Sequence, residues 1–251
     1  MTAGSPSSSP TTAHQPPAAE RARTVAARPT ASLYCLGLGI SQLWASTTTV
    51  AGDVLLVVPT AGAVMTALDN SPVRDVPARL TVTDRTPFPL RHPVRGLLQL
   101  AGWVTPVDPD DVQRLVLDFA DAYSADSLFD VGLSASLVRL DLAEVLLEEA
   151  GDAIDIEIED FVAARPDAIS RAENELMAER CEQLSRLSAR VQRWAGRTDD
   201  VRLLGLDRFG VRFRVQSRNG CYDLRVPFAT PLDGPAGFAA AVDHLLTCGP
   251  A

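Results

Sequence analysis

The stretch Val201–Leu232, VRLLGLDRFGVRFRVQSRNGCYDLRVPFATPL, reads as three short strands joined by two tight turns and closed by a Pro-Phe stop. Val211, Phe213 and Val215 alternate with Arg212, Arg214 and Gln216, a period of two that puts apolar groups on one sheet face and polar groups on the other. Asn219-Gly220 supplies the positive φ angles of a two-residue hairpin turn. Asp207–Gly210 makes the turn of the hairpin before it, with Gly210 expected in the left-handed region. Upstream, Pro166–Trp194 carries Ile169, Leu176, Leu184, Leu187 and Val191 near helical spacing, which predicts one long helix stopped by Gly196. A last helix over Pro235–Leu246 completes a small α-β-β-β-α domain over 166–251.

The preceding region is rich in strands. Ala19–Ala27 predicts a short helix ended by Arg28-Pro29; Leu33–Leu38, Ser46–Ala51, Asp53–Val58, Val76–Asp84 and Val94–Val104 predict strands, and Thr60–Asp69 a helical segment. Pro87, Pro89 and Pro93 keep the connection between the last two strands extended and out of any ladder. Asp108-Pro109-Asp110-Asp111 is a helix start with acids at the positive end of the dipole, and the helix should run to about Tyr123. Ser136–Asp141 and Glu144–Glu149 read as two strands with a turn at Asp141–Ala143, and Ile154–Ile158 alternates cleanly as another. Strands on both sides of a helix without regular βαβ spacing point to an α+β fold with a mostly antiparallel barrel over 20–165, preceded by a disordered tail over 1–19.

Composition narrows the function. The 251 residues are 46% apolar, enough for a real core. All 23 basic residues are Arg, so a Walker-type phosphate lysine, a Schiff base and a lysine general base are excluded. A net charge of −9 argues against nucleic acid as a partner. The charge is uneven: residues 1–170 stand at −11 and residues 171–251 at +2, which suits two domains that dock on each other. Cys35, Cys181, Cys221 and Cys248 show no C-x-x-C spacing and are expected to be reduced and mostly buried. The tail lacks the apolar core of a signal peptide, and no apolar run reaches the ~20 residues of a membrane helix, so a cytoplasmic protein without membrane contact is expected.

The pattern formed by Leu206, Asp207, Arg208, Phe209, Gly210, Arg225, Val226, Pro227, Phe228, Pro231 and Leu232 resembles the small α+β domain that follows an FMN-binding-type split β-barrel in haem-utilisation proteins. These include the HugZ-type bacterial haem oxygenases and the plastid protein that binds glutamyl-tRNA reductase. Glu20–Thr24, Gly102-Trp103 and Asp160–Asp167 extend the resemblance across residues 20–248. It implies a split barrel followed by the small domain, a homodimer paired across a sheet face, and haem as ligand. In that family the helix opening the second domain carries a histidine pair; Glu175 and Arg180 stand at those positions in this chain. This departure bears on haem cleavage before it bears on haem binding.

Few residues offer chemistry of their own. The acidic run from Asp141 to Asp160 shows no convergence onto an oxygen cage and is read as a solvated strand edge. His14 lies in the tail. His92 sits in the proline-rich connection between Arg91 and Arg95, a set offering an axial base and two cations for propionates. His244, beside Asp243 on the last helix, is the other candidate ligand; each histidine could equally be a plain surface residue. For FMN, the barrel strands Leu33–Val58 contain no basic residue to hold a phosphate, leaving Arg74, Arg79 and Arg85 as substitutes. Gly37-Leu38-Gly39 lacks the third glycine of a dinucleotide fingerprint, and Gly132–Ser136 lacks the second glycine of a nucleophile elbow. The reading is an intracellular haem-binding protein of the split-barrel family, with a role in haem handling or degradation; the alternatives are a non-catalytic regulatory module that contacts a protein of tetrapyrrole metabolism, and an FMN-dependent oxidoreductase.

Overall fold

Alternation of apolar and polar side chains builds the larger of two sheets. The computed structural model describes residues 15–196, 198–218 and 220–248, the last in its backbone alone, so His14 and Asn219 lie outside the described residues. Helix α1 (Ala18–Ala26) is followed by strands β1 (Ala31–Cys35), β2 (Gly39–Ser41), β3 (Ala45–Thr48) and β4 (Val54–Pro59). Helix α2 (Ala63–Asn70) then leads to the long pair β5 (Val76–Arg85) and β6 (Val94–Pro106). Helix α3 (Val112–Ala122), strands β7 (Ala135–Glu149) and β8 (Asp152–Asp155) and helix α4 (Ile158–Ala163) follow. The sheet runs β2-β1-β5-β6-β7-β4-β3, with β8 also on β7, every pair antiparallel, and curls into a half-barrel.

On β5 the residues Val76, Ala78, Leu80 and Val82 are buried while the positions between them face outward. Strand β4, VLLVVP, is apolar throughout because it is covered twice: Val54, Leu56 and Val58 join the core under α1 and α4, and Leu55 and Val57 join a second core with Leu115 and Phe119 of α3.

Helices α5 (Glu173–Glu179) and α6 (Cys181–Val191), strands β9 (Asp200–Asp207), β10 (Gly210–Ser217) and β11 (Gly220–Pro227), and helix α7 (Phe238–Cys248) form the remainder. The small sheet runs β11-β10-β9. Val211, Phe213 and Val215 pack with Leu184, Leu187, Phe238 and Val242 in a third core.

Several expectations are corrected. The helix read over Pro166–Trp194 is broken into α5 and α6 at Arg180 and starts only at Glu173. The Asp167 carboxylate accepts from the backbone N–H groups of Ile169 and Arg208, holding the preceding residues in turns. The two strands read over 136–149 are one strand, β7, with Ala143 as an extra residue opposite the Ala101–Gly102 step of β6. Gly102 makes that bulge possible, because a Cβ there would overlap the Asp141 carbonyl. The acidic run is a strand edge in part: β4 leaves β7 after Leu140 and β8 joins it only at Leu146, and β8 pairs with β7 alone, whereas Glu148 and Glu149 are paired on both sides. The alternation read over Ile154–Ile158 stops at Asp155, and Ile158 opens α4. Gly210 does not enter the left-handed region; it is required because a Cβ would overlap the Val226 carbonyl.

Candidate functional site

The polar face of β10 is turned toward the larger sheet, and charges fill that junction. A bulge places Arg95 as the extra residue of β6, between the pairs Asp84–Gly96 and Arg85–Val94, and so aims its side chain out of the ladder. Arg95 Nη2 donates to Asp84 Oδ1 at 2.7 Å, and Nη1 donates to Glu173 Oε1 at 2.5 Å and to the Leu204 carbonyl at 3.4 Å. Leu204 is itself the bulge residue of β9, so two irregular strand positions meet. Arg28 adds an ion pair to Asp84 at 3.0 Å and another to Glu173 at 2.8 Å, and the Leu206 N–H donates to Glu173 at 2.9 Å. Burial pushes the Glu173 carboxyl up, yet the Arg95 guanidinium, with Arg28 and the Leu206 N–H, outweighs it and holds the group below its ordinary value. Burial likewise works against the Arg95 charge, and Asp84 and Glu173 overcome it, raising its pKa. Gly205 leaves room for these groups, since a Cβ would overlap Arg95 Nη1.

Beside this cluster lies a cleft of about 700 Å³. One wall is His92–Leu97, a second is the β7–β8 hairpin from Glu148 to Ala153, and the third is Arg214, Cys221, Tyr222 and Asp223 of the small sheet. The hairpin turns on Ala150 and Gly151, with φ of 52° and 93°, the two-residue turn that matches strand twist. Much of the cleft's acidity is satisfied: Glu149 accepts from Arg21 at 2.7 Å, Glu148 accepts from Gln99, and Asp223 binds Arg214 through both oxygens at 2.7 and 2.9 Å. Left facing the space are an imidazole, a thiol, a phenol and a carboxylate, those of His92, Cys221, Tyr222 and Asp152, with apolar surface from Val94, Leu97, Ala150 and Ala153.

Of the residues expected to bind a ligand, His92 is exposed and lines this cleft; Arg91, next to it in the chain, is exposed, is not among the lining residues and makes no ion pair among those of the described residues. Arg95 also borders the cleft, but its guanidinium is turned to Asp84 and Glu173. His244 is exposed on α7, which packs on α6, and it is not among the residues lining the cleft that holds His92. Of the substitutes for a flavin phosphate site, Arg74 pairs with Asp69 and Arg79 donates to Gln99. Among the described residues no cluster of three or more His, Cys, Asp and Glu side chains could hold a metal ion. None of the described helices is long and apolar enough to cross a membrane.

A second cavity, of about 420 Å³, lies between the 86–93 connection and α5, α6 and β9; Phe88, Leu90, Met177, Leu184 and Leu203 line it. The proline-rich connection therefore walls both spaces, with Phe88–Leu90 facing the second and His92 the first. Cys35 is buried, and burial pushes its thiol up against a hydrogen bond with Ser41 that lowers it. Cys181, at the second cavity, and Cys221, at the cleft, are exposed, which corrects the expectation of mostly buried cysteines; the Cys248 side chain lies outside the described residues.

Sequence reasoning missed Glu173, Arg214, Cys221 and Tyr222. Arg214 occupied the outward phase of an alternating strand, which reads as solvent-facing until a second sheet is known to cover it. Glu173 stood in the first turn of a helix, where an acid needs no partner to be explained.

Neither a protein-family model nor a curated protein matches the sequence. Among solved structures, a heme binding protein from Mycobacterium smegmatis is similar over 92% of this chain and 96% of its own, with a TM-score of 0.61 and 22% identity. A protein of unknown function from Agrobacterium tumefaciens is similar over 91% and 94% of the two chains, with 20% identity and a TM-score of 0.43. At 22% identity the likeness to the Mycobacterium smegmatis protein is one of fold.

Proposed function

We propose that the protein binds haem in the cleft between the two sheets, with His92 as axial ligand and Arg91 as a propionate partner. The observation that carries this reading is the exposed imidazole of His92 on the wall of a cleft that also presents Cys221 and Tyr222. Imidazole, thiolate and phenolate are side chains that hold haem iron in proteins. Apolar side chains lie beside them to meet a macrocycle, and exposed Arg91 precedes His92 in the chain. A protein of similar fold is described as heme binding, which supports the same reading. The Arg95 guanidinium is engaged by Asp84 and Glu173 and is left out of this assignment.

The test is a titration of the purified protein with hemin, followed between 350 and 650 nm. A saturable, sharpened Soret band that shifts in His92→Ala and not in His244→Ala is the expected result. A band that His92→Ala leaves unchanged removes His92 as ligand, and the absence of any saturable change removes the function.

The same proposal includes a homodimer and a division into domains over 20–165 and 166–251. Tyr34, Leu36, Pro77, Ala101 and Trp103 stand together on the outer face of β1, β5 and β6, and Ile40, opposite Tyr34 on β2, is 85% exposed. Arg79 stands among them, opposite Tyr34 and Ala101, and an exposed surface with this much apolar area is the one assigned to the dimer contact. Ile40→Arg combined with Trp103→Arg should convert a dimer into a monomer in sedimentation velocity; a wild-type chain that sediments as a monomer rejects the dimer.

A further inference from the structure

Building on the assignment of His92 as ligand, we infer that Arg214 is a positioning residue for His92: a side chain of the small sheet that fixes the ligand-bearing segment through its backbone. Beyond one rung, from the Thr86 N–H to the Pro93 carbonyl, the connection between β5 and β6 carries no ladder. Pro87, Pro89 and Pro93 lack N–H donors. Its internal bonds are short-range: Thr86 N–H to the Pro93 carbonyl, Phe88 N–H to Thr86 Oγ1 and Leu90 N–H to the Phe88 carbonyl. The carbonyls of His92 and Val94 both accept from Nη1 of Arg214, the second at 2.8 Å.

The guanidinium itself has no freedom to wander. Its Nε and Nη2 form a bidentate pair with Asp223 on the neighbouring strand, and the residue is 5% exposed. The Asp223 carboxylate is the first cause of its raised pKa. A planar fork can serve a carboxylate on one edge and two carbonyls on another; an ammonium on a flexible stem cannot. Fixing the His92 carbonyl fixes the Cα from which the imidazole reaches into the cleft, and a ligating group must be held to within about 0.5 Å. The small sheet thus sets the geometry of a ligand carried by the larger one.

The experiment uses the full chain, hemin as probe, and the variants His92→Gly, Arg214→Lys and Asp223→Asn, each checked for folding by far-ultraviolet circular dichroism. The readouts are the hemin dissociation constant, the Soret position, and the change in both on adding free imidazole. His92→Gly should lose the parent spectrum and regain it with imidazole, which upholds the ligand assignment. Arg214→Lys should weaken hemin binding about 10- to 100-fold, the range for residues that orient a ligand. Its Soret band should move toward that of His92→Gly and return with imidazole, a rescue that a merely stabilising arginine would not give. Asp223→Asn should act in the same direction, and it decides the matter by the same criteria if Arg214→Lys does not fold. Parent-like spectra and affinities in the folded Arg214→Lys or Asp223→Asn protein, with His92→Gly altered, would overturn the inference while leaving the ligand assignment standing. A parent-like spectrum in His92→Gly rejects the ligand assignment and this inference with it.

Discussion

Replacing Glu173 by Ala should be among the most damaging single changes available in this chain. The carboxylate is buried, with 2% of its side chain exposed, and it accepts from Arg95 at 2.5 Å, from Arg28 at 2.8 Å and from the Leu206 N–H at 2.9 Å. Its removal leaves two guanidinium groups facing Asp84 alone. Breaking a buried pair by deleting one partner costs about 3–5 kcal/mol. The orphaned Leu206 N–H has a desolvation penalty of about 1–3 kcal/mol, but the two belong to one network and do not simply add. The expected loss is therefore about 3–5 kcal/mol in urea denaturation, or roughly 6–20 °C in Tm at about 2–4 °C per kcal/mol. Glu173→Gln keeps an acceptor for Leu206 and should lose less. The pH dependence has a definite sign. The folded-state carboxyl titrates below its unfolded value of 4.5, so its contribution is fully present above that pH and is lost as pH falls through the folded pKa. Glu173→Gln should accordingly flatten the acid limb of the stability curve. A loss under 1 kcal/mol in Glu173→Ala with an unchanged acid limb would refute the claim that this cluster joins the two sheets.

Arg23 is the reverse case, a buried guanidinium with no carboxylate beside it among the described residues. It stacks 5.2 Å from the Phe161 ring centroid and donates to the Thr49 carbonyl, while its Nε and Nη1 lack partners. Burial, with Arg165 nearby, lowers its pKa to about 10, so folding penalises the charge at every lower pH. Arg23→Met should then leave the unfolding free energy from urea denaturation at pH 7 within about 1 kcal/mol of the parent or raise it; a loss above about 2 kcal/mol would show that the bond to Thr49 dominates. Gly102→Ala should destabilise by about 1–3 kcal/mol or more, because a Cβ overlaps the Asp141 carbonyl across the bulge. A parent-like thermal midpoint in that variant would mean that the bulge relaxes without cost.

The elements were largely legible where one period governs a whole segment. The meander of β9, β10 and β11 follows from alternation and turn chemistry, as does β5, because burial on one face leaves a two-residue signature. The failures lie where that period shifts. On β7 the buried set passes from Val138 and Leu140 to Val145 and Leu147, a change of parity at Ala143. Such a shift reads equally as a turn or as one inserted residue. Asp141 is itself a turn residue, so nothing at 141–143 decides between the two, and it is Gly102 in the neighbouring strand that supplies the room for a bulge. The candidate site was half legible: His92 and Arg91 stand out as an imidazole beside a cation in a connection that cannot form a strand. What surrounds them was hidden, because Glu173, Arg214 and Asp223 come from a region of the chain whose docking is polar.

That polar docking explains why the two sheets enclose a cleft at all. Where the junction is apolar, around Phe88 and Leu90, the space left is smaller, about 420 Å³. Elsewhere the faces meet through guanidinium and carboxylate groups with fixed reach: Arg95 to Glu173, Arg208 to Glu20 at 2.7 Å, and Arg214 to the His92 and Val94 carbonyls. Each is a strut of set length, and between struts the strands stand apart. The bulges at Arg95 and Leu204 deliver one such contact at the inner end of the cleft, and the Arg214–Asp223 pair forms another along its wall. A space held open by charged struts keeps its shape without a ligand, so the His92 wall is organised before anything binds to it.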